Sequence, residues 1–349
     1  MNHPKHSRNP FLFVIAALVA ICTSIGCHST GSTDPNSKST DTTKTGQIPE
    51  VLHIMSPQGD SIRVVFSLSG DGSRIAGLAV SQASNTSSIY VWNTTDGAII
   101  KHILNTGFAS WMYLNKDGTK LLVEDAGYIT TLYDVATAAK LFTINDNNYS
   151  MMGDDADKIL SQLRYSDGTK AIVVFNSNGD TVEKTLIPGS DFGPDGLSAD
   201  GKTAIITQAS GNYNLYTWDL GTNKKSSSYT AQADLYDGNI SRDGVIFMGL
   251  DREDNHMRMI NTVTGVESPI HPAHNTDAFA MSTDHDTYAI GTDFTSPGNG
   301  ELWSYKTNTK IRDLSDSLHA SFFDRFEFSD DGSRLAAGTW YELTVWKVK

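Results

Sequence analysis

Residues 66–77 read Phe66-Ser-Leu-Ser-Gly-Asp71-Gly72-Ser-Arg-Ile-Ala-Gly77, and residues 328–338 repeat the pattern as Phe328-Ser-Asp-Asp-Gly332-Ser-Arg-Leu-Ala-Ala-Gly338. In each copy an apolar segment leads into an Asp-Gly pair, and a second apolar segment follows. The Gly supplies the positive φ that a tight turn needs, and the Asp side chain bonds the local backbone. Each copy therefore predicts a β-hairpin.

Five further copies of this hairpin lie between these two, with their turn aspartates at Asp117, Asp155, Asp200, Asp243 and Asp284. In two of them the turn Gly is replaced, by Ala156 and by His285. We expect His285 to mark a looser turn, because a side chain with a Cβ tolerates positive φ poorly.

A large apolar residue, usually aromatic, follows each hairpin in a short strand. The spacing between successive members of this series is 41 to 43 residues, and the series is Trp92, Tyr133, Phe175, Trp218, Ile260, Trp303 and Trp346. A polar turn and a fourth apolar segment come next. The series therefore predicts seven four-stranded units, with these third-strand side chains packed between units and not forming a sugar-binding platform.

Four strands in every 40–45 residues resemble the WD40-type β-propeller and the related repeats of TolB-like periplasmic proteins. The resemblance covers about residues 49–349 and implies an all-β fold, a single seven-bladed β-propeller. Trp218-Asp219 is the only Trp-Asp pair, and the Gly-His pair of eukaryotic WD40 repeats does not occur in the sequence. The resemblance thus implies the architecture and no particular WD40 partner.

The two ends of the repeat region complement each other. The sequence ends at Lys349, three residues after Trp346, so the seventh copy stops after its third strand. Residues 50–55 read Glu-Val-Leu-His-Ile-Met and have no copy of their own. We expect this segment to supply the missing outer strand of the last blade and so to close the ring.

The N-terminus resembles a bacterial lipoprotein signal peptide. Lys5 and Arg8 precede an apolar run over residues 11–21, and small residues then lead to Cys27. The resemblance implies a signal peptide over residues 1–26, a lipidated Cys27, a flexible Ser/Thr-rich tether over 27–48 and the propeller over 49–349. His28, in place of Asp after Cys27, favours the outer membrane of the cell envelope. A plain cleaved signal and an uncleaved anchor helix are the alternatives, and all three export the domain.

Composition excludes several classes of function. The formal net charge is −13, and removal of Lys5 and Arg8 leaves 25 basic and 40 acidic residues, about −15, which repels nucleic acid. Both cysteines lie at or before residue 27, so the folded part has neither a disulfide nor a thiolate metal site. The Gly-x-Ser-x-Gly and His-Glu-x-x-His signatures do not occur in the sequence. We expect a monomer without a cofactor.

Two segments carry possible metal ligands. His271-Pro-Ala-His274, followed by Asp277, has two imidazoles and a carboxylate that zinc accepts. Asp251-Arg-Glu-Asp-Asn-His256 offers oxygen ligands for Ca²⁺ without the regular spacing of a calcium loop. A solvated loop is the favoured interpretation of both segments.

Acidic residues recur where the fourth strand of one copy passes to the first strand of the next. They lie nine residues before the turn aspartate in copies three to five and seven before it in copies six and seven, as Asp146, Asp191, Asp234, Asp277 and Asp324. Aromatic residues accompany them, namely Phe108, Phe192, Tyr236 and Phe322. We expect these side chains to line the upper mouth of the channel, where they suit a basic peptide or cationic ligand. The alternative is that Asp is simply a good loop residue.

These observations lead to one functional hypothesis and two alternatives. The first is a membrane-tethered extracytoplasmic module that binds a protein or peptide partner in the cell envelope without catalysis. The second is a metal-dependent propeller hydrolase or lactonase with its site in the central funnel. Carbohydrate binding is the third, and it requires exposed Trp on the upper face, whereas most Trp residues here fall in third strands.

Overall fold

Seven four-stranded antiparallel sheets make up the described part of the chain, and they form a seven-bladed β-propeller. The structure is a computed structural model. It describes residues 51–56, 61–81, 84, 86–104, 108–145, 147–187, 192–208, 214–230, 235–251, 256–269, 278–291, 300–314, 323, 325–339 and 342–349. The signal peptide and tether expected over residues 1–48 lie outside these ranges.

The strands follow the order that the sequence predicts. A lone strand, β1 (Val51–Met55), precedes the blades. Blade 1 contains β2 (Ser61–Leu68), β3 (Arg74–Ser81), β4 (Thr86–Asn93) and β5 (Ile99–Leu104). Blade 2 contains β6 (Ala109–Leu114), β7 (Lys120–Asp125), β8 (Thr130–Asp134) and β9 (Lys140–Ile144). Blade 3 contains β10 (Asn147–Met152), β11 (Ile159–Arg164), β12 (Lys170–Phe175) and β13 (Thr181–Ile187).

The second half repeats this arrangement. Blade 4 contains β14 (Phe192–Leu197), β15 (Thr203–Gln208), β16 (Asn214–Asp219) and β17 (Lys224–Thr230). Blade 5 contains β18 (Leu235–Ile240), β19 (Ile246–Asp251), β20 (Met257–Asn261) and β21 (Glu267–Pro269). Blade 6 contains β22 (Phe279–Met281), β23 (Thr287–Gly291), β24 (Gly300–Ser304) and β25 (Thr309–Asp313). Blade 7 contains β26 (Arg325–Phe328), β27 (Arg334–Gly338), β28 (Glu342–Lys347) and β1.

The first strand of each blade lies nearest the axis of the ring. Adjacent blades meet through these strands, with β2 beside β6, β10 beside β14, β14 beside β18 and β22 beside β26. The first strands therefore surround a central channel. We call the end of the ring that carries the Asp turns the lower face, and the opposite end, where each blade leads into the next, the upper face.

The first and last strands close the ring as the sequence predicts. Strand β1 pairs antiparallel with β28, from Val51 opposite Trp346 to Met55 opposite Glu342. Ile54 is only 3% exposed and packs in one apolar cluster with residues of blades 1 and 7, among them Phe66 and Val345. The N-terminal strand therefore completes the seventh blade and covers the junction with the first.

The Asp turns are nearly identical in all the copies that have a Ser two residues before the Asp. In copy 1, Ser69 Oγ donates to Asp71 Oδ1 at 2.7 Å, and Arg74 N donates to Ser69 Oγ at 3.0 Å. Equivalent pairs of bonds occur at Ser198, Ser241, Ser282 and Ser329. The serine thus fixes both the turn aspartate and the start of the second strand.

The expectation of a looser turn at His285 is wrong. His285 has φ of 54°, close to the 69° of Gly72, and its N–H donates to the Ser282 carbonyl at 3.0 Å as the N–H of Gly72 donates to that of Ser69. Its Nε2 lies 3.0 Å from Asp243 Oδ1 of the neighbouring blade. The contact to Asp243 and the bonds within the turn hold the left-handed conformation that the missing glycine would otherwise supply.

The third-strand aromatic residues pack between blades as predicted. Trp92 is 1% exposed and shares a cluster with Leu343 and Val345 of blade 7. Trp346 is 4% exposed and shares a cluster with Leu302 of blade 6. The described ranges contain no helix with the length and apolarity needed to cross a membrane.

Replacement of Ile54 by Ala tests the closure. The substitution leaves a cavity between blades 7 and 1, and we expect it to lower the free energy of unfolding by about 2–4 kcal/mol. Val51, on the same strand but 38% exposed, provides the matched control, and Val51→Ala should cost about 0.5 kcal/mol or less. Equal effects of the two substitutions in denaturant unfolding would contradict the closure.

Candidate functional site

Most residues of the predicted acidic mouth lie outside the described residues. These are Asp146, Asp191, Asp234, Asp277, Asp324 and Phe322, together with the histidines of the possible zinc site, His271 and His274. Phe192 begins β14 and Tyr236 lies in β18, but their side chains are also outside the description. Phe108, by contrast, is described just before β6 and is 48% exposed. The acidic mouth stays a prediction.

The possible calcium segment begins with a carboxylate that already has a partner. Asp251 is the last residue of β19 and is 4% exposed, and its Oδ2 accepts a hydrogen bond from Arg258 Nη2 at 2.8 Å. Residues 252–255 lie outside the description. Among the residues that the structure does describe, no group of three or more His, Cys, Asp or Glu side chains is arranged to hold a metal.

The residue before each turn aspartate forms a ring at the lower mouth of the channel. Asp330 N donates to the Gly70 carbonyl at 2.7 Å, Lys116 N to the Asp154 carbonyl at 2.8 Å, and Asp154 N to the Ala199 carbonyl at 2.6 Å. Each of these bonds joins the turns of adjacent blades. The seven positions are Gly70, Lys116, Asp154, Ala199, Arg242, Thr283 and Asp330.

One arginine of this ring crosses the channel. The guanidinium of Arg242, on blade 5, pairs with Asp154 on blade 3 and with Asp330 on blade 7, and it lies 4.0 Å from Glu327 Oε1. The side chains of Arg242, Asp154 and Asp330 are 20%, 17% and 18% exposed. Because both main partners are two blades away, this cluster, which we call the lower brace, spans the lower mouth.

Gly70 provides the space for the lower brace. A Cβ at position 70 would lie 2.8 Å from Arg242 Nη2 and nearer still to the Asp330 carboxylate. Any other residue would therefore displace the ion pair. The glycine is required here for close approach and not for its backbone conformation.

The lower brace holds two carboxylates around one guanidinium, and the more exposed Lys116 Nζ lies 4.0 Å from Asp330 Oδ2. Burial raises the pKa of Asp154 to about 6, and the neighbouring Asp330 carboxylate adds to the rise, while Arg242 opposes it. Two carboxylates that share one guanidinium favour a bound proton. The lower brace is therefore a titratable unit.

Higher in the channel, the guanidinium of Arg325 lies among aromatic rings. Its carbon is 5.0 Å from the centre of the Trp111 ring, 5.7 Å from that of Phe66 and 6.0 Å from that of Tyr113. Its Nη2 is 3.9 Å from Glu327 Oε2. Arg325 belongs to blade 7 and Trp111 to blade 2, so this contact also bridges blades that are not adjacent.

Side chains also accept hydrogen bonds from backbone N–H groups at the free edges of the innermost strands. Glu327 Oε2 accepts a hydrogen bond from Leu68 N at 3.1 Å, and Ser67 Oγ accepts one from Leu114 N at 3.0 Å. An innermost strand has no further strand to bond its outer N–H groups, so these side chains replace one. They connect blade 7 to blade 1 and blade 1 to blade 2.

A buried carboxyl group joins blades 2 and 3. Glu124 of β7 is 5% exposed, and its Oε2 accepts a hydrogen bond from Ser150 N of β10 at 3.0 Å. Burial raises the pKa of Glu124 to about 7, and the nearby Asp125 adds to the rise, while the bond from Ser150 opposes it.

Large exposed aromatic side chains are concentrated at the upper end of blades 2 and 3. Among the described side chains the exposed ones are Phe108 at 48% and Trp111, Tyr128 and Tyr149 at 43% each. Phe108 precedes β6, Trp111 and Tyr149 are the third residues of β6 and β10, and Tyr128 lies in the β7–β8 turn. We call these four residues the aromatic rim.

The β7–β8 turn is held in place by local bonds. Asp125 Oδ1 accepts hydrogen bonds from Gly127 N at 2.8 Å and from Ile129 N at 3.1 Å, and Ala126 N donates to the Phe108 carbonyl at 2.9 Å. Tyr128 has φ of 61°, which is unusual for a bulky residue. The turn thus presents an aromatic side chain to solvent at the cost of backbone strain.

Sequence reasoning named Phe108 as a candidate, and the structure shows it exposed; it did not single out the lower brace or the other residues of the aromatic rim. A signal for the brace was present, because the position before the turn aspartate is charged in four of the seven copies, at Lys116, Asp154, Arg242 and Asp330. Comparison with protein-family models finds none that matches the chain. Comparison with curated protein sequences finds no match either.

Substitution of Arg242 by Met tests the lower brace. The change leaves Asp154 and Asp330 facing each other without their shared cation, and we expect the free energy of unfolding at pH 7.5 to fall by about 3 kcal/mol. The loss should be smaller at pH 5, where Asp154 takes up a proton. Denaturant unfolding at the two pH values measures both quantities, and a loss that does not depend on pH would contradict the charge assignment.

Asp154→Asn tests the titration of the lower brace. The folded-state pKa of Asp154 is raised to about 6 from 3.8, so the stability that its protonation contributes is complete below pH 4 and is lost as the pH rises through 6. The variant has no such loss. Relative to wild type it should therefore gain stability between pH 4 and pH 7, whereas Glu267→Gln, a carboxyl change on the outer strand of blade 5, should not. A parallel pH profile of Asp154→Asn and wild type would show the assignment to be wrong.

Proposed function

We propose that this propeller is a binding module that captures a protein segment carrying basic residues on its upper face. The observation that carries the proposal is the aromatic rim: all four large exposed aromatic side chains in the described part of the chain lie at the upper end of two adjacent blades. Large exposed aromatic side chains grouped in one place are typical of interaction surfaces.

Charge favours a basic partner. The chain carries a formal net charge of −13, so it attracts a segment rich in Lys and Arg and steers its approach. Aromatic faces also bind such cations directly. The contact between Arg325 and Trp111 is an example of this pairing within the protein itself.

The position of the lower brace favours ligand binding at the upper face. Arg242 and its two carboxylates occupy the lower mouth of the channel, so a ligand enters the channel more easily from above. The strained turn at Tyr128 supports the same face, since strain of this kind is common at binding sites.

We further propose that the module acts at the bacterial cell envelope as a monomer and without catalysis. The resemblance of residues 1–27 to a lipoprotein signal peptide supports lipidation at Cys27 and an outer-membrane address, and the polar composition of residues 28–47 supports a tether. The repeat pattern supports a relation to WD40-like and TolB-like repeats.

A photo-crosslinking experiment tests the proposal. The full chain, purified in detergent with a photoreactive phenylalanine at position 108, is irradiated with envelope proteins, and the captured protein is identified and purified. Its affinity is then measured for wild type and for the rim variant Phe108→Ser/Tyr128→Ser. We expect the rim variant to bind about tenfold more weakly or worse, and added salt to weaken binding by wild type.

A matched control removes a second exposed apolar pair. Val263 and Val266, 74% and 60% exposed, lie at the β20–β21 turn on the lower face. Val263→Ser/Val266→Ser should leave the affinity unchanged. Equal affinities of the rim and control variants would overturn the proposal. A stoichiometric zinc or calcium ion required for hydrolysis would favour the hydrolase alternative instead.

A further inference from the structure

Glu124 is a buried carboxyl group close to the aromatic rim. It lies opposite Trp111 in the pairing of β6 with β7, so the two side chains share one face of the sheet. Its Oε2 accepts a hydrogen bond from the amide between Tyr149 and Ser150. The carboxyl group is therefore bonded to the backbone N–H of Ser150, which follows the rim residue Tyr149, and it lies opposite the rim residue Trp111.

Two arginines that the structure describes in the channel are already paired. Arg325 lies 3.9 Å from Glu327, and Arg242 pairs with Asp154 and Asp330. Glu124 forms no ion pair with any residue that the structure describes, and its one hydrogen bond comes from a neutral amide. A buried carboxylate in such surroundings is costly to ionise unless a cation reaches it.

The other groups that face Glu124 do not supply this cation. Asp125 follows it on β7, and Tyr113 faces it from β6, where burial raises the pKa of Tyr113 to about 12 and keeps the phenol neutral. From β10 it faces the Tyr149–Ser150 amide. Arg325 of β26 lies against the rings of Trp111 and Tyr113, 5.0 Å and 6.0 Å from their centres, and the Glu327 carboxylate 3.9 Å away offsets its charge.

We propose that Glu124 is the counter-ion for an Arg or Lys side chain of the bound segment, which enters beside the exposed ring of Trp111. This inference rests on the proposed function and names the subsite within it. A carboxylate and an aromatic face together bind a guanidinium or ammonium more tightly than either group alone. Arrival of the cation favours the ionised form of Glu124, so binding releases a proton when it begins from the protonated state.

The subsite makes binding of a cation depend on pH. Burial holds the pKa of Glu124 near 7 in the free protein, so the carboxylate is mostly ionised at pH 8.5 and mostly protonated at pH 5.5. Affinity for a cationic probe should therefore rise with pH across this range. A neutral probe of the same size should show no such rise.

Calorimetric titration of the full chain in detergent with acetyl-Gly-Arg-Gly-amide tests the inference, and acetyl-Gly-Gln-Gly-amide is the neutral probe. For wild type we expect the affinity for the Arg probe to fall about tenfold or more between pH 8.5 and pH 5.5. Glu124→Gln keeps an acceptor for Ser150 N, and we expect it to bind weakly at both values. Its melting temperature at pH 8.5 should be no lower than that of wild type, because it removes a buried charge.

Two controls separate this subsite from other titrating groups. Glu267→Gln removes the same charge on the outer strand of blade 5, and Asp154→Asn removes the titrating group of the lower brace. Both should keep the affinity and the pH response of wild type. A wild-type affinity that does not change with pH, or equal binding by Glu124→Gln and wild type, would overturn the inference.

Affinity for the partner captured at position 108 distinguishes failure of the Glu124 subsite from failure of the proposed function. If the rim variant loses the partner while Glu124→Gln keeps wild-type affinity, the subsite is wrong and the binding module stands. If the rim variant also keeps wild-type affinity, both are wrong.

Discussion

The blades of this protein carry apolar residues on both faces, and each must therefore be covered on both sides by its neighbours. Strands such as β3 and β19 are buried along nearly their whole length, as are β7 and β12, so the apolar residues do not alternate with exposed polar ones. A row of such sheets can bury both of its end faces only by closing into a ring. The pairing of β1 with β28 is the device that closes it, because it joins the two ends of the repeat region within one sheet.

Closure creates a channel whose walls are strand edges with unbonded N–H groups. Side chains that line the channel bond to these groups or bridge the blades. Glu327 and Ser67 bond free N–H groups on adjacent blades, while Arg325 and Arg242 reach to blades farther away. The kinds of side chain that line the channel differ between its two ends. Ion pairs fill the lower end, whereas the upper end exposes aromatic rings beside the carboxyl of Glu124, whose bond among the described residues comes from the neutral amide of Ser150. This difference between the ends favours the upper face for binding.

The repeat made the fold predictable, since the Asp turns and third-strand aromatics are local signals that recur at constant spacing. The channel was harder to predict. Alignment of the copies places Asp154, Arg242 and Asp330 at one position, but their contact depends on which blades face each other across the ring. His285 was misjudged because its turn is held partly by Asp243 of another blade. Trp111 and Tyr149 were missed because neither belongs to the recurring turn or to the third-strand series.

The lower brace also bears on how the ring comes apart. In a structure built from repeats, each unit normally touches only the next, so local openings can start at one unit and spread. Arg242 links blade 5 to blades 3 and 7 and thereby joins units that are not neighbours in the ring. Opening any one of these three blades breaks a bond held by the others. The ring should therefore unfold cooperatively as a whole, and amide protons of blades 3, 5 and 7 should exchange with solvent together.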